Sequence, residues 1–179
     1  MEPTWAATKR KRISTTTTSD SFVALALGGN LGPVEEHFDR ALGVLGAHLS
    51  KIQVAPIYRT AAVSSIPQPD YRNSALIARS PLDAESLLAL CQAIERSAGR
   101  RRGGPGDRWG PRPLDLDLLI FGRRISTRPE ILLPHPRLAE RRFVLEPLAD
   151  LIPDVQVPQT GRTVRELLER LPPENIERV

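Results

Sequence analysis

The most informative stretch of this sequence is RWGPRPLDLDLLIFG, residues 108–122. Its second half is an apolar run interrupted by two carboxylates at alternate positions, which is typical of a β-strand. Side chains on a strand alternate between faces, so Asp115 and Asp117 are expected on one face, while Leu116 and Leu118 point into a core. Same-face neighbours lie roughly 6.5–7 Å apart at Cα. Two carboxylates at that spacing favour a shared divalent cation, which relieves their mutual repulsion.

Arg112 stands between Pro111 and Pro113, and the prolines bias its backbone toward an extended conformation. A guanidinium beside a carboxylate pair favours phosphate chemistry with Mg²⁺. For the D-x-D pattern alone, the alternative is a solvated strand face, or an edge strand whose charges prevent it from pairing with another chain. A tryptophan, two arginines and two prolines beside the carboxylates would be a costly way to build a plain surface. The functional interpretation is therefore favoured.

Composition and length indicate a single-domain enzyme. A chain of 179 residues is long enough for one domain with a core and short for two. It has no apolar run near the roughly 20 residues that a membrane span requires. Cys91 is the single cysteine, so no internal disulfide can form, which favours a reducing compartment. Its position in a helical apolar stripe predicts a core residue rather than a catalytic thiol. We expect a cytoplasmic location.

The net charge of +4 is a weak argument for a nucleic-acid partner. Residues 1–20 carry half of that excess, through the basic run KRKR at residues 9–12. The chain has 22 arginines and 3 lysines, an imbalance that GC-rich coding produces across a whole proteome. We attribute it mainly to that bias and expect neither a nucleic-acid nor a membrane partner.

Hydrophobic periodicity predicts an α+β fold. Residues 1–20 are polar and rich in Ser and Thr and are expected to be a disordered basic extension; residues 21–172 are expected to form the domain and residues 173–179 a C-terminal tail. The predicted strands lie at residues 22–27, 51–58, 73–79, 114–121 and 155–157, and the predicted helices start at about residues 34, 84, 143 and 164. The order strand–helix–strand–strand–helix–strand is typical of a ferredoxin-like antiparallel sheet. We expect helices on one face and the other face partly open for a ligand.

Two further segments carry polar side chains of interest. Residues 28–33 (GGNLGP) follow the first strand but lack the ending of a phosphate-binding P-loop, so a tight strand-to-helix turn is expected. Gln92 and Glu95 share a polar helix edge, and that helix leads into the glycine-rich basic residues 100–107. Arginines on such a segment can close over a polyphosphate or bind RNA loosely. The aromatic content of 4%, with no aromatics among these arginines, argues against RNA.

Tyr71, Asn73 and Phe143 would ordinarily be assigned to packing. Two aromatic rings and an amide can equally enclose a flat heterocycle and bind its polar edge. Both interpretations are open from these residues alone.

Five segments together resemble the 6-hydroxymethyl-7,8-dihydropterin pyrophosphokinase family of folate biosynthesis, whose members move a diphosphate from ATP to a pterin alcohol. The run RWGPRxLDLD is highly specific for that family. The matching segments, which span about residues 22–160, are residues 26–32, 58–60, 68–73, 108–117 and 134–143.

The resemblance implies a two-substrate site. Asp115 and Asp117 would hold two Mg²⁺ ions on the phosphates of ATP, and Tyr71 and Phe143 would stack on the two faces of the pterin. Asn73 would bind the pterin edge together with backbone groups of Thr60, Ala61, Ala62 and Val63. The residues implied at the ATP site are Gln92, Glu95, Arg102, Trp109, Arg112, His135 and Arg141. The implied catalytic set is Asp115, Asp117, Arg100, Arg102 and Arg112, with Arg100 and Arg102 on a mobile loop.

The sequence departs from the family pattern at three places. One is the arginine-rich segment of residues 100–107, which carries extra glycine and proline, so the position assigned to Arg102 can shift by a residue or two. The segment Thr60-Ala61-Ala62-Val63 replaces a Pro-Pro pair that is often found there, and Glu130 and Leu132 stand where some members have an Arg and a Thr on the nucleotide. ATP and the pterin are the expected partners of a monomer. The alternatives are an RNA-binding module that uses the basic tail and residues 100–102, and a metal-dependent nucleotide phosphohydrolase.

Overall fold

The computed structural model describes residues 20–62, 67–100 and 110–179. Its helices are α1 (Val34–Gly46), α2 (Ala84–Ser97), α3 (Arg142–Leu151) and α4 (Val164–Glu169), with a short 3-10 turn at Leu138–Glu140. The strands of the main sheet are β1 (Ser21–Gly29), β2 (Ser50–Val54), β3 (Tyr58–Thr60), β4 (Tyr71–Ser80), β5 (Asp115–Phe121) and β10 (Ile176–Arg178). Two small hairpins are formed by β6 (Ser126–Arg128) with β7 (Ile131–Leu133) and by β8 (Gln156–Val157) with β9 (Arg162–Thr163).

The main sheet has the order β10-β3-β4-β1-β5, and β2 also pairs with β4. Every pairing in this sheet is antiparallel. The four strands of the predicted pattern correspond to β1, β3, β4 and β5. Their spatial order, β3-β4-β1-β5, is that of a ferredoxin-like sheet. The predicted α+β class and the antiparallel sheet are confirmed.

Helices cover both faces of the sheet, which corrects the expectation that they cover one. On one face, Val23 and Leu25 of β1 pack in a core with residues of α1 and α2. On the other face, Ala24 and Ala26 pack in a second core with residues of α3 and α4. Asp115 and Asp117 lie on this second face, opposite Gly28 and Ala26 of β1, and they line a cavity together with Phe143 and Val144 of α3.

The predicted strand at residues 51–58 is two strands. β2 pairs with β4 through an irregular register, where Lys51 has a positive φ of 52°, and β3 begins after Pro56. A proline cannot donate to a ladder hydrogen bond. The interruption lets β3 pair with the far end of β4, where Thr60 lies opposite Tyr71.

The turn from β1 to α1 depends on a close backbone approach. A Cβ on Gly29 would lie 2.6 Å from the carbonyl oxygen of Pro113, and Gly32 has a φ of +72°. The backbone N–H groups of Asn30 and Leu31 both donate to the carbonyl oxygen of Arg112, at 2.9 and 3.2 Å. Glycine thus lets the turn dock on the segment that precedes β5, as the expected tight strand-to-helix turn.

Residues 176–178 form an edge strand instead of lying apart from the domain. β10 pairs with β3, with Ile176 opposite Thr60, and the N–H of Val179 donates to the carbonyl oxygen of Ile57 at 2.9 Å. Residues 176–178 therefore belong to the main sheet, although residues 173–179 were expected to form a separate tail. Within the described ranges, no helix has the length and apolar character needed to cross a membrane.

Candidate active site

Two adjoining cavities lie where β1, β4 and β5 meet. The smaller, of about 50 Å³, is lined by Asp115 and Asp117 on β5 and by the glycine and alanine positions of β1. The larger, of about 220 Å³, extends toward Thr60 and Ala61 at the end of β3. The residues that line both cavities are Tyr71, Asn73, Arg141 and Phe143. One continuous site therefore joins the acidic strand to the pocket at β3.

Strand register places the polar groups of the site in one row. Asn73 lies opposite Gly28 on one side and Tyr58 on the other, and Gly28 lies opposite Asp115. Directly opposed residues project from the same face of a sheet, so Asn73 and Asp115 flank a position without a side chain. Two strand spacings separate them, about 9–10 Å. A Cβ on Gly28 would lie 3.5 Å from Asn73 Oδ1, so this glycine keeps the floor of the smaller cavity open.

Asp115 is held by two arginines. Its Oδ2 accepts a hydrogen bond from Arg112 at 2.8 Å, and its Oδ1 accepts one from Arg100. Burial alone would raise the pKa of the carboxyl, but the guanidinium groups of Arg100 and Arg112 outweigh it and hold the pKa below its ordinary value. Asp115 is therefore a fixed negative charge at neutral pH.

Asp117 faces Arg141 and His135. Its Oδ2 accepts a hydrogen bond from Arg141 at 3.1 Å and lies 3.7 Å from His135 Nε2. The backbone N–H of Arg137 donates to His135 Nδ1 at 3.2 Å, which places the proton of the neutral imidazole on Nε2. Burial lowers the pKa of His135, and the attraction of Asp117 only partly opposes this effect. His135 thus presents an N–H to the site.

Glu95 joins α2 to β5 under the site. Its side chain is 1% exposed, and its Oε1 accepts a hydrogen bond from the backbone N–H of Leu116 at 2.8 Å. The same oxygen accepts from Arg100. Arg100 therefore bridges Glu95 and Asp115, so the end of α2 and the start of β5 are held together by one guanidinium.

The larger cavity has two aromatic rings and an oriented amide. The Asn73 amide N–H donates to Thr60 Oγ1 at 2.9 Å, and Asn73 is 5% exposed. The hydroxyl of Tyr71 donates to the carbonyl oxygen of Gly110 at 3.3 Å. The guanidinium of Arg141 lies 5.7 Å from the centroid of the Phe143 ring, within cation–π range. These contacts fix the rings and leave an amide oxygen to accept from a flat ligand.

Asn30 connects the two sides of the site. Its amide N–H groups donate to Gln68 Oε1 at 2.9 Å and to the carbonyl oxygen of Pro69 at 3.0 Å. Its Oδ1 accepts from the backbone N–H of Arg112 at 2.9 Å. The turn after β1 therefore holds the segment before β4 against the segment before β5.

Most of the residues predicted for the site come together. Those that line the two cavities are Thr60, Ala61, Tyr71, Asn73, Arg112, Asp115, Asp117, Arg141 and Phe143, and those that contact them are Glu95, Arg100 and His135. Ala62 and Gln92 are half-buried and are not among the lining residues of either cavity. Val63, Arg102 and Trp109 lie outside the described residues.

Three residues that line the larger cavity were not predicted from the sequence: Gln68, Arg137 and Glu174. Gln68 lies in a segment that resembles the family, and Arg137 is two positions from His135, so proximity in sequence could have indicated both. Glu174 has no such signal, because it comes from the C-terminal end of the chain.

The donor set suits Mg²⁺ held partly by a substrate. Over residues 20–62, 67–100 and 110–179, no group of three or more His, Cys, Asp and Glu side chains is arranged to hold a metal ion. Asp115 and Asp117 supply two carboxylates, and Mg²⁺ is commonly bound by one or two carboxylates, with waters and substrate phosphates as the other ligands. The residues present therefore fit an ion that arrives with a nucleotide.

Comparisons with known proteins give a consistent result. A family model described as 7,8-dihydro-6-hydroxymethylpterin-pyrophosphokinase matches residues 24–153. Among similar proteins, a 2-amino-4-hydroxy-6-hydroxymethyldihydropteridine pyrophosphokinase of Pseudomonas aeruginosa is 39% identical over 159 residues, 88% of this chain and 96% of the relative. A protein of the same name from Synechocystis sp. is 38% identical over 149 residues, 82% of this chain and 74% of the relative.

Solved structures agree in fold. A Plasmodium falciparum HPPK-DHPS triple mutant superposes with a TM-score of 0.66 at 14% identity, over 87% of this chain and 45% of that one. The chain spans slightly less than half of the length of that solved chain. The match over residues 24–153 and the identity to relatives of nearly full length establish that the chain belongs to the 7,8-dihydro-6-hydroxymethylpterin-pyrophosphokinase family.

Proposed function

We propose that this chain carries out the reaction of its family, the transfer of a diphosphate from ATP to the hydroxymethyl group of 6-hydroxymethyl-7,8-dihydropterin, with release of AMP. The observation that supports this most strongly is the continuity of the two cavities. Asp115 and Asp117 line one, the pocket with Tyr71 and Phe143 is the other, and Asn73 lines both. A pterin between the two rings would direct its hydroxymethyl group toward the carboxylates.

The acidic pair would hold the metal ions. Asp115 and Asp117 would bind two Mg²⁺ ions together with the ATP phosphates, and ions bound there would neutralise negative charge that develops on the phosphates. His135 and Arg141, which contact Asp117, would donate to phosphate oxygens from the same side. Cationic donors aimed at a phosphate chain stabilise its charge in the transition state.

The chain's own residues contribute chiefly by positioning. The hydroxymethyl oxygen forms a bond to the β-phosphorus of ATP, the bond from that phosphorus to the oxygen that stays with AMP breaks, and the hydroxyl proton is released to water. Fixing the two reactants in line supplies a large part of such an acceleration. Asp115 is a poor general base, because its pKa is held below the ordinary value by Arg100 and Arg112 although burial opposes them. We assign it a binding role toward metal and hydroxyl.

The nucleotide would lie along α2 and β5. Arg100 and Arg112, which contact Asp115, would exchange part of that contact for phosphate oxygens when ATP binds. We also place Gln92, Arg102 and Trp109 at the nucleotide. Backbone groups of Ala62 and Val63 would bind the pterin. A monomeric state and a cytoplasmic location stay predictions.

An AMP assay tests this proposal. Full-length protein is incubated with ATP and Mg²⁺, with and without the pterin alcohol, and nucleotides are separated by ion-exchange chromatography. We expect AMP and the pterin diphosphate in equal amounts, and AMP only when the pterin is present. Nucleotide breakdown that is independent of the pterin would instead identify a metal-dependent phosphohydrolase and overturn the transferase assignment.

A further inference from the structure

Three consecutive residues at the start of α3 make contacts on different sides. Arg141 contacts Asp117, and Phe143 lines both cavities of the site. Arg142, which stands between them, contacts the end of α4 instead. Successive residues of an α-helix are roughly 100° apart around its axis, so neighbours at a helix start face different surroundings. Arg142 can therefore affect the reaction through the backbone that it shares with Arg141 and Phe143.

The guanidinium of Arg142 holds the end of α4 and the turn that follows it. Its Nη1 donates to the carbonyl oxygen of Leu171 at 3.1 Å, and to those of Leu168 and Pro172 at 3.4 Å each. Its Nε lies 3.2 Å from Oε2 of Glu146, one helical turn further along α3. The side chain of Arg142 is only 20% exposed. Hydrogen bonds from a charged donor are stronger than neutral ones, so this contact ties α3 firmly to α4.

An arginine at this position is unfavourable for the helix itself. The N-terminus of an α-helix carries a partial positive charge, which favours acidic residues in the first turn, and α3 has none there. Arg141 occupies the N-cap position, where a Ser, Thr, Asp or Asn would bond to a free backbone N–H. Among the described residues, its side chain makes no capping hydrogen bond. The start of α3 is therefore held by tertiary contacts, and Arg142 supplies the contact to α4.

Phe143 depends on the first turn of α3 more than Arg141 does. The guanidinium of Arg141 is held separately, by its hydrogen bond to Asp117 at 3.1 Å. The ring of Phe143 is half-buried against the second core, and an aromatic hydrocarbon ring has no polar group that could fix its angle. A shift of the first turn would therefore move the ring of Phe143 more readily than the guanidinium of Arg141.

We propose that Arg142 is a positioning residue, which fixes the ring of Phe143 for stacking on the pterin by anchoring the first turn of α3 to the end of α4. This rests on the proposed function, in which the pterin lies between Tyr71 and Phe143. Stacked rings require a defined distance and offset. Loss of the anchor therefore weakens binding of the pterin, while the nucleotide side of the site keeps its contacts.

The test is a double-mutant cycle between Arg142 and Phe143, which measures whether one residue acts through the other. Kd for the pterin is measured by fluorescence titration, in the presence of a non-hydrolysable ATP analogue and Mg²⁺. The proteins are wild type, Arg142→Met, Phe143→Ala and the double variant. Methionine removes the guanidinium and keeps an apolar stem that covers the same surface. Arg165→Met is the matched control, because Arg165 lies on α4 and pairs with Asp154 at 3.2 Å on an exposed surface.

We expect Arg142→Met to raise Kd for the pterin about tenfold, equal to about 1.4 kcal/mol, and to leave Kd for the nucleotide unchanged. In the Phe143→Ala background the same substitution should have little effect on Kd, because the ring that Arg142 positions is absent. Arg142→Lys keeps a charged donor without the forked geometry and should restore part of the affinity. Arg165→Met should bind the pterin as wild type does.

A purely structural role of Arg142 would lower Tm and leave Kd of the folded protein unchanged, and that result would overturn the proposal. An equal loss of pterin affinity in both backgrounds would also overturn it, since Arg142 would then act independently of Phe143. If Arg142→Met does not fold, Arg142→Lys completes the same cycle with Phe143→Ala. Failure of the proposed function has a different signature, because wild type itself would then form no AMP with the pterin.

Discussion

Replacement of Asp117 by alanine is expected to remove turnover while the fold persists. In the structure this side chain is 30% exposed and pairs with Arg141 at 3.1 Å. An ion pair that is partly exposed contributes about 0–1 kcal/mol to stability. For a domain of this size, 1 kcal/mol corresponds to roughly 2–4 °C in Tm. The variant should therefore unfold within about 4 °C of wild type.

The effect on catalysis should be much larger. A metal ion at the phosphates supplies several kcal/mol of charge stabilisation, and loss of about 4 kcal/mol slows a reaction about a thousandfold. Affinity for the pterin should survive, because Tyr71, Asn73 and Phe143 are retained. The expected result is a loss in kcat of about three orders of magnitude with Kd for the pterin within a factor of about two.

The assay measures AMP formation at saturating Mg²⁺, ATP and pterin, beside fluorescence titration of the pterin and thermal unfolding. Asp154→Ala is the matched control, because it removes a carboxylate that pairs with Arg165 at 3.2 Å on an exposed surface away from the cavities. It should keep wild-type turnover. Turnover of Asp117→Ala within tenfold of wild type would refute the metal role assigned to Asp117.

Three further predictions concern groups outside the catalytic set. The hydroxyl of Tyr58 donates to Asp150 at 2.7 Å, so Tyr58→Phe should lower the free energy of unfolding in urea by about 1–2 kcal/mol and keep activity; unchanged stability would contradict this. Hydrogen bonds from Arg124 lower the pKa of Glu85 from 4.5 to about 2. The Glu85–Arg124 pair therefore contributes to the stability of the fold above pH 4.5, and this contribution is lost as the pH falls through about 2. An NMR titration of Glu85 should show that midpoint, and Arg124→Gln should return the pKa of Glu85 toward its ordinary value. Burial raises the pKa of Cys91 to about 12, so at pH 8 a thiol reagent should label the native protein only at the rate of unfolding, and immediate labelling would refute the buried position.

The acidic strand could be predicted because its chemistry is local. Alternation around Leu116 and Leu118 places Asp115 and Asp117 on one face, and the structure has both lining one cavity. The strand needs no information from distant parts of the chain, since the period of two is a property of the extended backbone. The helix period of 3.6 residues is also a local property of the backbone, so the spacing of apolar residues alone predicted α1 and α2.

The second helical layer could not be assigned in this way. β1 is a nearly continuous apolar run, and Val23 and Ala24 are buried in different cores. Such a run is typical of a strand that is covered on both faces, but the segments that cover the second face are short. α4 has only six residues, and an apolar stripe on a helix indicates burial without indicating the surface it meets.

The remaining site residues depend on long-range placement. Glu174 and Thr60 are brought together by the pairing of β10 with β3, which joins chain segments more than a hundred residues apart. Asn30 resembled an ordinary turn residue, yet its amide contacts both Gln68 and Arg112. No local pattern encodes these contacts, because each requires the sheet order to be known first.

The proposed function depends on the binding of metal ions by Asp115 and Asp117 against the phosphates of ATP. The most direct test is a crystal structure of the protein with Mn²⁺, a non-hydrolysable ATP analogue and the pterin, with the ions located from the anomalous signal of manganese. We expect two anomalous peaks, each close to a carboxylate oxygen of this pair and to phosphate oxygens, with the pterin between Tyr71 and Phe143. A bound nucleotide whose phosphates carry no metal at these carboxylates would contradict it.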